Sequence, residues 1–297
     1  MQRKLQLLNS LSQKLEDFEP REGRALEWYV CGPTVYDVSH LGHARNYVAT
    51  DAMRRILEDY FGYHVKQCMN ITDVDDKILR RSAELGVEFE QLARFYEAEF
   101  FADLQGLNCR LPSVVTRVTE HLPQIVAYVE QIIANGFAYE AQGSVYFDVE
   151  ADAAVRDEQV LTAARAQGKR SFRDFALWKR AGADEVGWSS PWGRGRPGWH
   201  IECSAMASYA LQPVIDLHSG GVDLRFPHHD NEIAQCEAYF QSDEWVRYFL
   251  HVGHLNINGC KMSKSLKNFV SIQEMLKRHT FQEIRILHGR MVSEDAI

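Results

Sequence analysis

The side chains best suited to handling a polyphosphate lie in two short segments, His40-Leu41-Gly42-His43 and, far downstream, Lys261-Met262-Ser263-Lys264-Ser265. The first falls between a predicted strand and a predicted helix, so in a parallel sheet it sits at the carboxyl edge of the strands, where ligands bind. Backbone N–H groups and the helix dipole attract an anion there, and Gly42 admits close backbone approach. His40 and His43 can each donate a hydrogen bond to an oxygen that gains charge in a transition state. Taken alone, the pattern also suits two histidines packed near a turn. The second segment follows a predicted strand and precedes a polar turn and a new helix. Lys261 and Lys264 on such a loop can neutralise charge building on a leaving pyrophosphate, and a loop can close over a nucleotide and reopen. Alone, it equally suits a solvated lysine cluster. Both segments, in this order within an alternating strand–helix pattern, point to nucleotide chemistry.

Metal chemistry is suggested by residues far apart in the chain. Cys31 closes the first predicted strand, Cys203 lies in Gly198-Trp199-His200-Ile201-Glu202-Cys203-Ser204, and His228 and Glu232 lie in Phe226-Pro227-His228-His229-Asp230-Asn231-Glu232. Positions four apart on a helix share a face, so His228 and Glu232 can offer both side chains to one ion. Two cysteines, a histidine and a glutamate form a borderline-soft donor set that suits zinc. Other residues compete for attention. His218, Asp223, His229 and Asp230 could form a metallohydrolase-like cluster. Gly193 to Gly198 matches G-x-G-x-x-G in form, but it contains Pro197 and follows no hydrophobic strand, both of which argue against a dinucleotide fingerprint. Asp73, Asp75 and Asp76 lack the glycine and terminal glutamate of a calcium loop and read as a turn and helix start.

The elements that must position these groups alternate between strand and helix, which predicts an α/β fold with a parallel sheet. Leu26 to Cys31 and Val65 to Met69 read as strands, and Met53, Ile56, Leu57 and Tyr60 follow helical spacing until Gly62. Helical spacing recurs over Phe89 to Phe100 and over Leu122 to Ile133, the latter closing at Asn135-Gly136. Phe137 to Phe147 reads as a hairpin turning near Gly143, and the stretch from about Val149 to Lys169 as an exposed segment. A strand passes through Val214 to Leu217, and a last helix starts at Ser271, whose spacing to Glu274 predicts a capping box. The 297 residues are 45% hydrophobic and 25% charged, enough for one large core or two modest ones. No apolar run approaches the roughly 20 residues that cross a bilayer, and the N-terminus has no signal-like apolar region, so a cytoplasmic protein without a membrane partner is expected. The six scattered cysteines suggest reduced thiols rather than a disulfide framework. The net charge of -8 gives no whole-chain basic footprint, so any RNA contact is local or supplied by other segments.

The segments Cys31 to Asp37, Asn70 to Lys77, Gly195 to Ser204 and Pro227 to Glu232 closely resemble the corresponding stretches of cysteinyl-tRNA synthetases, and the histidine and lysine segments resemble the two ATP-handling signatures of the class I synthetases. The resemblance runs through nearly the whole chain. It implies a Rossmann-type class I catalytic domain with residues 20–108 as its first half, a connective insertion over 109–189, the second half over 190–260, and the lysine loop with the start of a stem-contact region over 261–297. It implies Cys31, Cys203, His228 and Glu232 as ligands of one zinc ion, and Gly32, Thr72 and Trp199 as the amino-acid pocket. His40, Gly42, His43, Gly221, Asp223 and Lys264 become ATP contacts, with His40, His43, Lys261 and Lys264 carrying catalysis.

The activity so implied is formation of cysteinyl-adenylate from L-cysteine and ATP with magnesium, followed by transfer to tRNA(Cys), by a monomer. Zinc has a physical purpose in such an enzyme. Serine is nearly isosteric with cysteine, and a pocket of ordinary contacts separates them poorly, whereas a zinc ion with an open position binds a thiolate in preference to a hydroxyl. Two departures stand out. The family often shows Asp-x-His-Gly-Gly-Gly where this chain has Asp216-Leu217-His218-Ser219-Gly220-Gly221, which bears on backbone approach to the nucleotide. The chain also stops at Ile297, before an anticodon-binding domain, and so reads as a catalytic fragment or a truncated paralogue. Two alternatives share the fold: a cysteine ligase acting on an amino-sugar acceptor, of the mycothiol type, and a non-catalytic zinc- and cysteine-binding module.

Overall fold

Leu26, Trp28, Tyr29 and Val30 form a short apolar run rich in aromatic and β-branched residues, the composition of a strand covered on both faces, and all four are buried. In the computed structural model, which describes residues 4–149, 168–257, 260–262 and 269–294, this run lies inside a parallel sheet. The chain forms two units. The first comprises Met1–Arg117, Ala210–Phe226 and Val246–Ile297, and the second Val118–Tyr209 and Pro227–Trp245.

The first unit begins with a hairpin of β1 (Gln6–Asn9) and β2 (Lys14–Asp17), then β3 (Ala25–Val30), α1 (Leu41–Arg55), β4 (His64–Ile71), α2 (Asp76–Leu85), α3 (Phe89–Gly106) and β5 (Val114–Arg117). The second unit follows with α4 (Leu122–Ala134), β6 (Ala138–Ala141), β7 (Ser144–Phe147), β8 (Phe175–Arg180), β9 (Gly195–Pro197) and α5 (Trp199–Ala210). The chain returns to the first unit for β10 (Ile215–Gly221) and to the second for α6 (Asp230–Phe240). It ends in the first with β11 (Val246–Val252), β12 (Asn256–Ile257), β13 (Cys260–Lys261), α7 (Ile272–Leu276) and α8 (Phe281–Glu294).

The main sheet has the order β11-β10-β3-β4-β5, and every neighbouring pair is parallel. In order of appearance this is the doubly wound arrangement, which reverses direction between β3 and β10 and opens a crevice there at the carboxyl ends of the strands. The expected parallel α/β architecture is therefore present. In the second unit β6, β7, β8 and β9 form an antiparallel sheet.

Local sequence explains many boundaries. The helical spacing through Met53 to Tyr60 is the end of α1 and a π-helical turn over Ile56–Tyr60, and Gly62, at φ +71°, allows the reversal into β4. Asp75 caps α2 by accepting the Lys77 N–H at 2.8 Å, which places the aspartate run at a helix start. Ser271 and Glu274 form the expected capping box. The β6–β7 hairpin turns on Gln142 and Gly143, both with positive φ. The glycine-rich stretch mistakable for a dinucleotide motif includes β9, an antiparallel strand against β8. Most of the stretch expected to be exposed, 150–167, lies outside the described residues.

Two features were not legible in the chain. The β1–β2 hairpin joins the sheet edge through Asn9, whose Nδ2 donates to the Arg247 carbonyl at 2.9 Å while its Oδ1 accepts the Phe249 N–H at 3.1 Å. Helix α8 is tied to α1 by Arg285, whose Nη2 lies 2.5 Å from Oδ2 of the buried Asp51. Asp51 also accepts from Arg55 Nε at 2.8 Å and from the Arg110 N–H at 2.7 Å, which satisfies its buried carboxylate. Among the described residues no helix is long and apolar enough to cross a membrane.

Candidate active site

In the first unit the site residues gather at or just beyond the carboxyl ends of β3, β4 and β10. Cys31 continues from β3, buried, with its N–H donating to the Ser219 carbonyl at 3.0 Å across the switch point. Gly32 follows and donates to Asn70 Oδ1 at 2.9 Å; a Cβ there would stand 1.7 Å from the Asn70 carbonyl oxygen, so no larger residue is possible without parting the strand ends. Thr72 closes the same corner, its N–H bonded to the Pro33 carbonyl and its hydroxyl accepting from Asn70 Nδ2 at 3.3 Å. Cys31 Sγ and a ring nitrogen of His218 on β10 lie within 4.8 Å of each other, a proximity that sequence reasoning did not assign.

Ser219, the departure from the family pattern, turns its hydroxyl into the core and accepts from Trp28 Nε1 at 2.9 Å. Its side chain is thus occupied with β3. Gly221 ends β10, and Asp223 folds back so that a Cβ on Gly221 would meet Asp223 Oδ1 at 2.7 Å. Asp223 is half-exposed, 3.9 Å from His254 Nδ1.

His40 and His43 form a reciprocal cap on α1. His40 Nδ1 accepts the His43 N–H at 3.3 Å, and His43 Nδ1 accepts the His40 N–H at 3.2 Å. The rings stack with centroids 3.9 Å apart at 9°. A ring nitrogen that accepts carries no proton, so each neutral imidazole holds its hydrogen on Nε2 and presents that atom as a donor. Sequence predicted two donors at a helix N-terminus; the structure adds that the other nitrogen of each ring is spent on the cap.

Lys261 ends β13, which pairs with β12, and Met262 is buried with its N–H on the Leu255 carbonyl. The side chain of Lys261 and the whole of Lys264 lie outside the described residues. The chain beyond the lysine loop is nonetheless fixed to the histidine turn: the Leu41 N–H donates to the Val270 carbonyl at 3.0 Å and the Ile272 N–H to the Ser39 carbonyl at 3.1 Å. The Phe269 and His40 rings have centroids 6.2 Å apart.

In the second unit a buried triad forms. Ligand atoms of Cys203 on α5, His228 just before α6, and Glu232 on α6 all lie within 4.8 Å of one another. His228 Nε2 is 2.7 Å from Glu232 Oε1, and both side chains are shielded from water. Burial disfavours an imidazolium, yet the facing Glu232 carboxylate and Cys203 thiol outweigh it and raise His228 to about 10. On its other side His228 Nδ1 meets His200 Nδ1 at 2.9 Å, and burial together with the His228 charge lowers His200 to about 3, so His200 is the neutral acceptor. The negative field that favours a proton on His228 also favours a divalent cation. A thiol, an imidazole and a carboxylate, dry and convergent, fit zinc better than magnesium or calcium, which prefer all-oxygen ligands. Trp199, 39% exposed, stacks on the His228 ring at 4.6 Å between centroids. A nitrogen of His229 also reaches within 4.8 Å of a Glu232 oxygen. His200 was the residue sequence reasoning overlooked; its place beside Trp199 hinted at it, but only packing shows which ring it meets.

The fold is that of a class I aminoacyl-tRNA synthetase. The structure of Mycobacterium tuberculosis methionyl-tRNA synthetase in complex with methionyl-adenylate superposes with a TM-score of 0.71 at 17% identity, covering 90% of this chain and 64% of that one. Residues 17–293 match the family model described as tRNA synthetases class I (C) catalytic domain, and the chain belongs to that family, the cysteinyl branch of the class. It is 52% identical to "Cysteine–tRNA ligase, cytoplasmic" of Dictyostelium discoideum over 91% of this chain and 44% of that protein. Identity is 50% to the Encephalitozoon cuniculi cysteine–tRNA ligase, over 97% and 62%, and 39% to the human cytoplasmic one, over 95% and 54%. The chain spans about half the length of the curated relatives it matches.

Proposed function

We propose that this chain carries the catalytic activity of a cysteine–tRNA ligase of the cytoplasm, activating L-cysteine with ATP and passing the cysteinyl group to tRNA(Cys). The observation that carries the reading is the buried Cys203, His228 and Glu232 triad in a member of this family. The names of relatives at 50% and 52% identity support a tRNA acceptor over an amino sugar. The reciprocal cap, which occupies Nδ1 of both rings and leaves the hydrogen of each on Nε2, supports a catalyst over a binding module, which has no need of phosphate chemistry.

In the reaction a carboxylate oxygen of cysteine bonds to the α-phosphorus of ATP as the bond from that phosphorus to the bridging oxygen breaks, releasing pyrophosphate with its magnesium. The chain contributes no nucleophile; it positions the reactants and stabilises charge. His40 and His43 donate Nε2–H to phosphate oxygens, with Gly42 admitting the triphosphate to the helix N-terminus. Lys261 and Lys264 neutralise the departing pyrophosphate. Gly221 and Asp223 hold the adenosine. Gly32 and Thr72 line the amino-acid pocket at the strand ends, and Trp199 supplies an aromatic wall. Zinc held by Cys31, Cys203, His228 and Glu232 would bind the substrate sulfur as a thiolate, which separates cysteine from serine. Residues 109–189 serve as the connective insertion between the two catalytic halves, 20–108 and 190–260, with the lysine loop and stem-contact start in 261–297.

Cysteine-dependent exchange of pyrophosphate into ATP tests the proposal, with serine as control and with or without a zinc chelator. Exchange with cysteine alone, lost on chelation, is the expected result. Exchange supported equally by serine, or untouched when zinc is demonstrably removed, would refute the metal's role in selection.

A further inference from the structure

Behind the triad, in the second unit, a polar network joins three helices. Ser204 Oγ on α5 donates to Gln235 Oε1 on α6 at 2.6 Å, with both residues fully buried. Tyr128 on α4 donates through its hydroxyl to Cys236 Sγ on α6 at 3.2 Å, and Ser208 on α5 donates to that Tyr128 hydroxyl at 3.3 Å. The placement relative to the metal ligands is systematic. Ser204 is the residue after Cys203, while Gln235 and Cys236 stand three and four positions after Glu232, on the same face of α6.

We infer that the Ser204–Gln235 hydrogen bond is a register device that sets Cys203 against His228 and Glu232, making both members positioning residues for the metal. Helix α5 buries the short Ser204, Ala205 and Ala207 beside Cys203 together with the longer Ile201, Glu202 and Met206, and apolar burial is non-directional, so it does not by itself fix how far a helix slides or turns. Sliding by one residue moves a side chain by about 1.5 Å along the axis. A metal site tolerates deviations of only about 0.2 Å in ligand distance. A buried, directional hydrogen bond supplies the discrimination that packing lacks. The network is also costly: Gln235 Nε2 is buried and has no partner among the described residues. An apolar pair of similar size avoids that cost, so stability alone does not account for it.

This inference rests on the proposed metal reading, and one experiment separates the two. The parent chain and the Ser204→Ala/Gln235→Met double variant are compared by thermal melting, by zinc affinity from chelator competition, and by the visible spectrum of the cobalt(II) form. The double variant is expected to melt at or above the parent temperature, yet to bind zinc at least about tenfold more weakly and to show an altered cobalt spectrum. Unchanged zinc affinity and cobalt spectrum in the folded double variant would overturn the inference and leave the metal reading intact. A parent chain that binds neither metal overturns both. Should the double variant not fold, Ser204→Ala alone, which removes one oxygen, decides the matter by the same affinity measurement.

Discussion

Replacing His40 separates the two tasks of its ring. Nδ1 accepts the His43 N–H at 3.3 Å as a helix cap, and Nε2 carries the hydrogen that the proposed reaction offers to phosphate. Asparagine is among the best N-capping residues and can place Oδ1 where Nδ1 stands, but it has no atom at the Nε2 position. In His40→Asn the cap is kept and the stacking against His43 lost, so stability is expected to fall by no more than about 1 kcal/mol. His40→Ala loses cap and stacking together, about 2 kcal/mol. At roughly 2–4 °C per kcal/mol for a domain of this size, melting curves resolve the two variants. Loss of one donor aimed at developing charge costs about 2.7–4 kcal/mol, a 10²- to 10³-fold fall in rate. Both variants should therefore show the same large loss of cysteine-dependent pyrophosphate exchange, while only His40→Ala melts distinctly lower. Exchange by His40→Asn within threefold of the parent would place Nε2 away from the reacting phosphates, and indistinguishable melting of the two variants would remove the cap.

Ser219→Gly restores the commoner family residue but leaves Trp28 Nε1 buried without its acceptor, at a cost of about 1–3 kcal/mol; a lower urea midpoint at constant m is expected, and an unchanged midpoint would show that the hydrogen bond is dispensable. Gly32→Ala forces a methyl to within 1.7 Å of the Asn70 carbonyl, so loss of at least about 3 kcal/mol or outright misfolding should appear in circular dichroism, and a stable variant that still binds cysteine would contradict the close approach. Burial and the Arg45 charge hold His288 near 4, below the ordinary value of about 6.5. Between those values the unfolded chain takes up a proton that the folded chain refuses, so stability falls as pH drops, by about 2 kcal/mol from pH 7.5 to 5. His288→Leu should flatten that slope in urea titrations, and identical slopes for parent and variant would rule His288 out as its source.

Legibility in the sequence divided along the range of the interaction. Ser271 with Glu274, Asp75 before α2, and Gly143 at a hairpin turn act on neighbours in the chain, and each is legible in the sequence because caps and turns need only local residue types. The β1–β2 hairpin is not legible there because its anchor is Asn9 bonded to Arg247 and Phe249, partners that no local pattern predicts. In the same way the tie from Arg285 on α8 to Asp51 on α1 joins residues 234 positions apart, which no local pattern predicts.

The sequence by itself determined the family, the residue types that could meet a nucleotide or a metal, and the alternation that demands a parallel sheet. Tertiary structure alone decided the strand order that puts Cys31 and Ser219 on either side of the switch point. It also decided which nitrogen of each histidine is spent on the α1 cap, and which ring faces His228. Composition and spacing fix what a side chain can do, but a hydrogen bond is sensitive to tenths of an ångström and to angle. Only the packing of distant segments sets those, and it is there that one imidazole nitrogen becomes an acceptor and the other a donor.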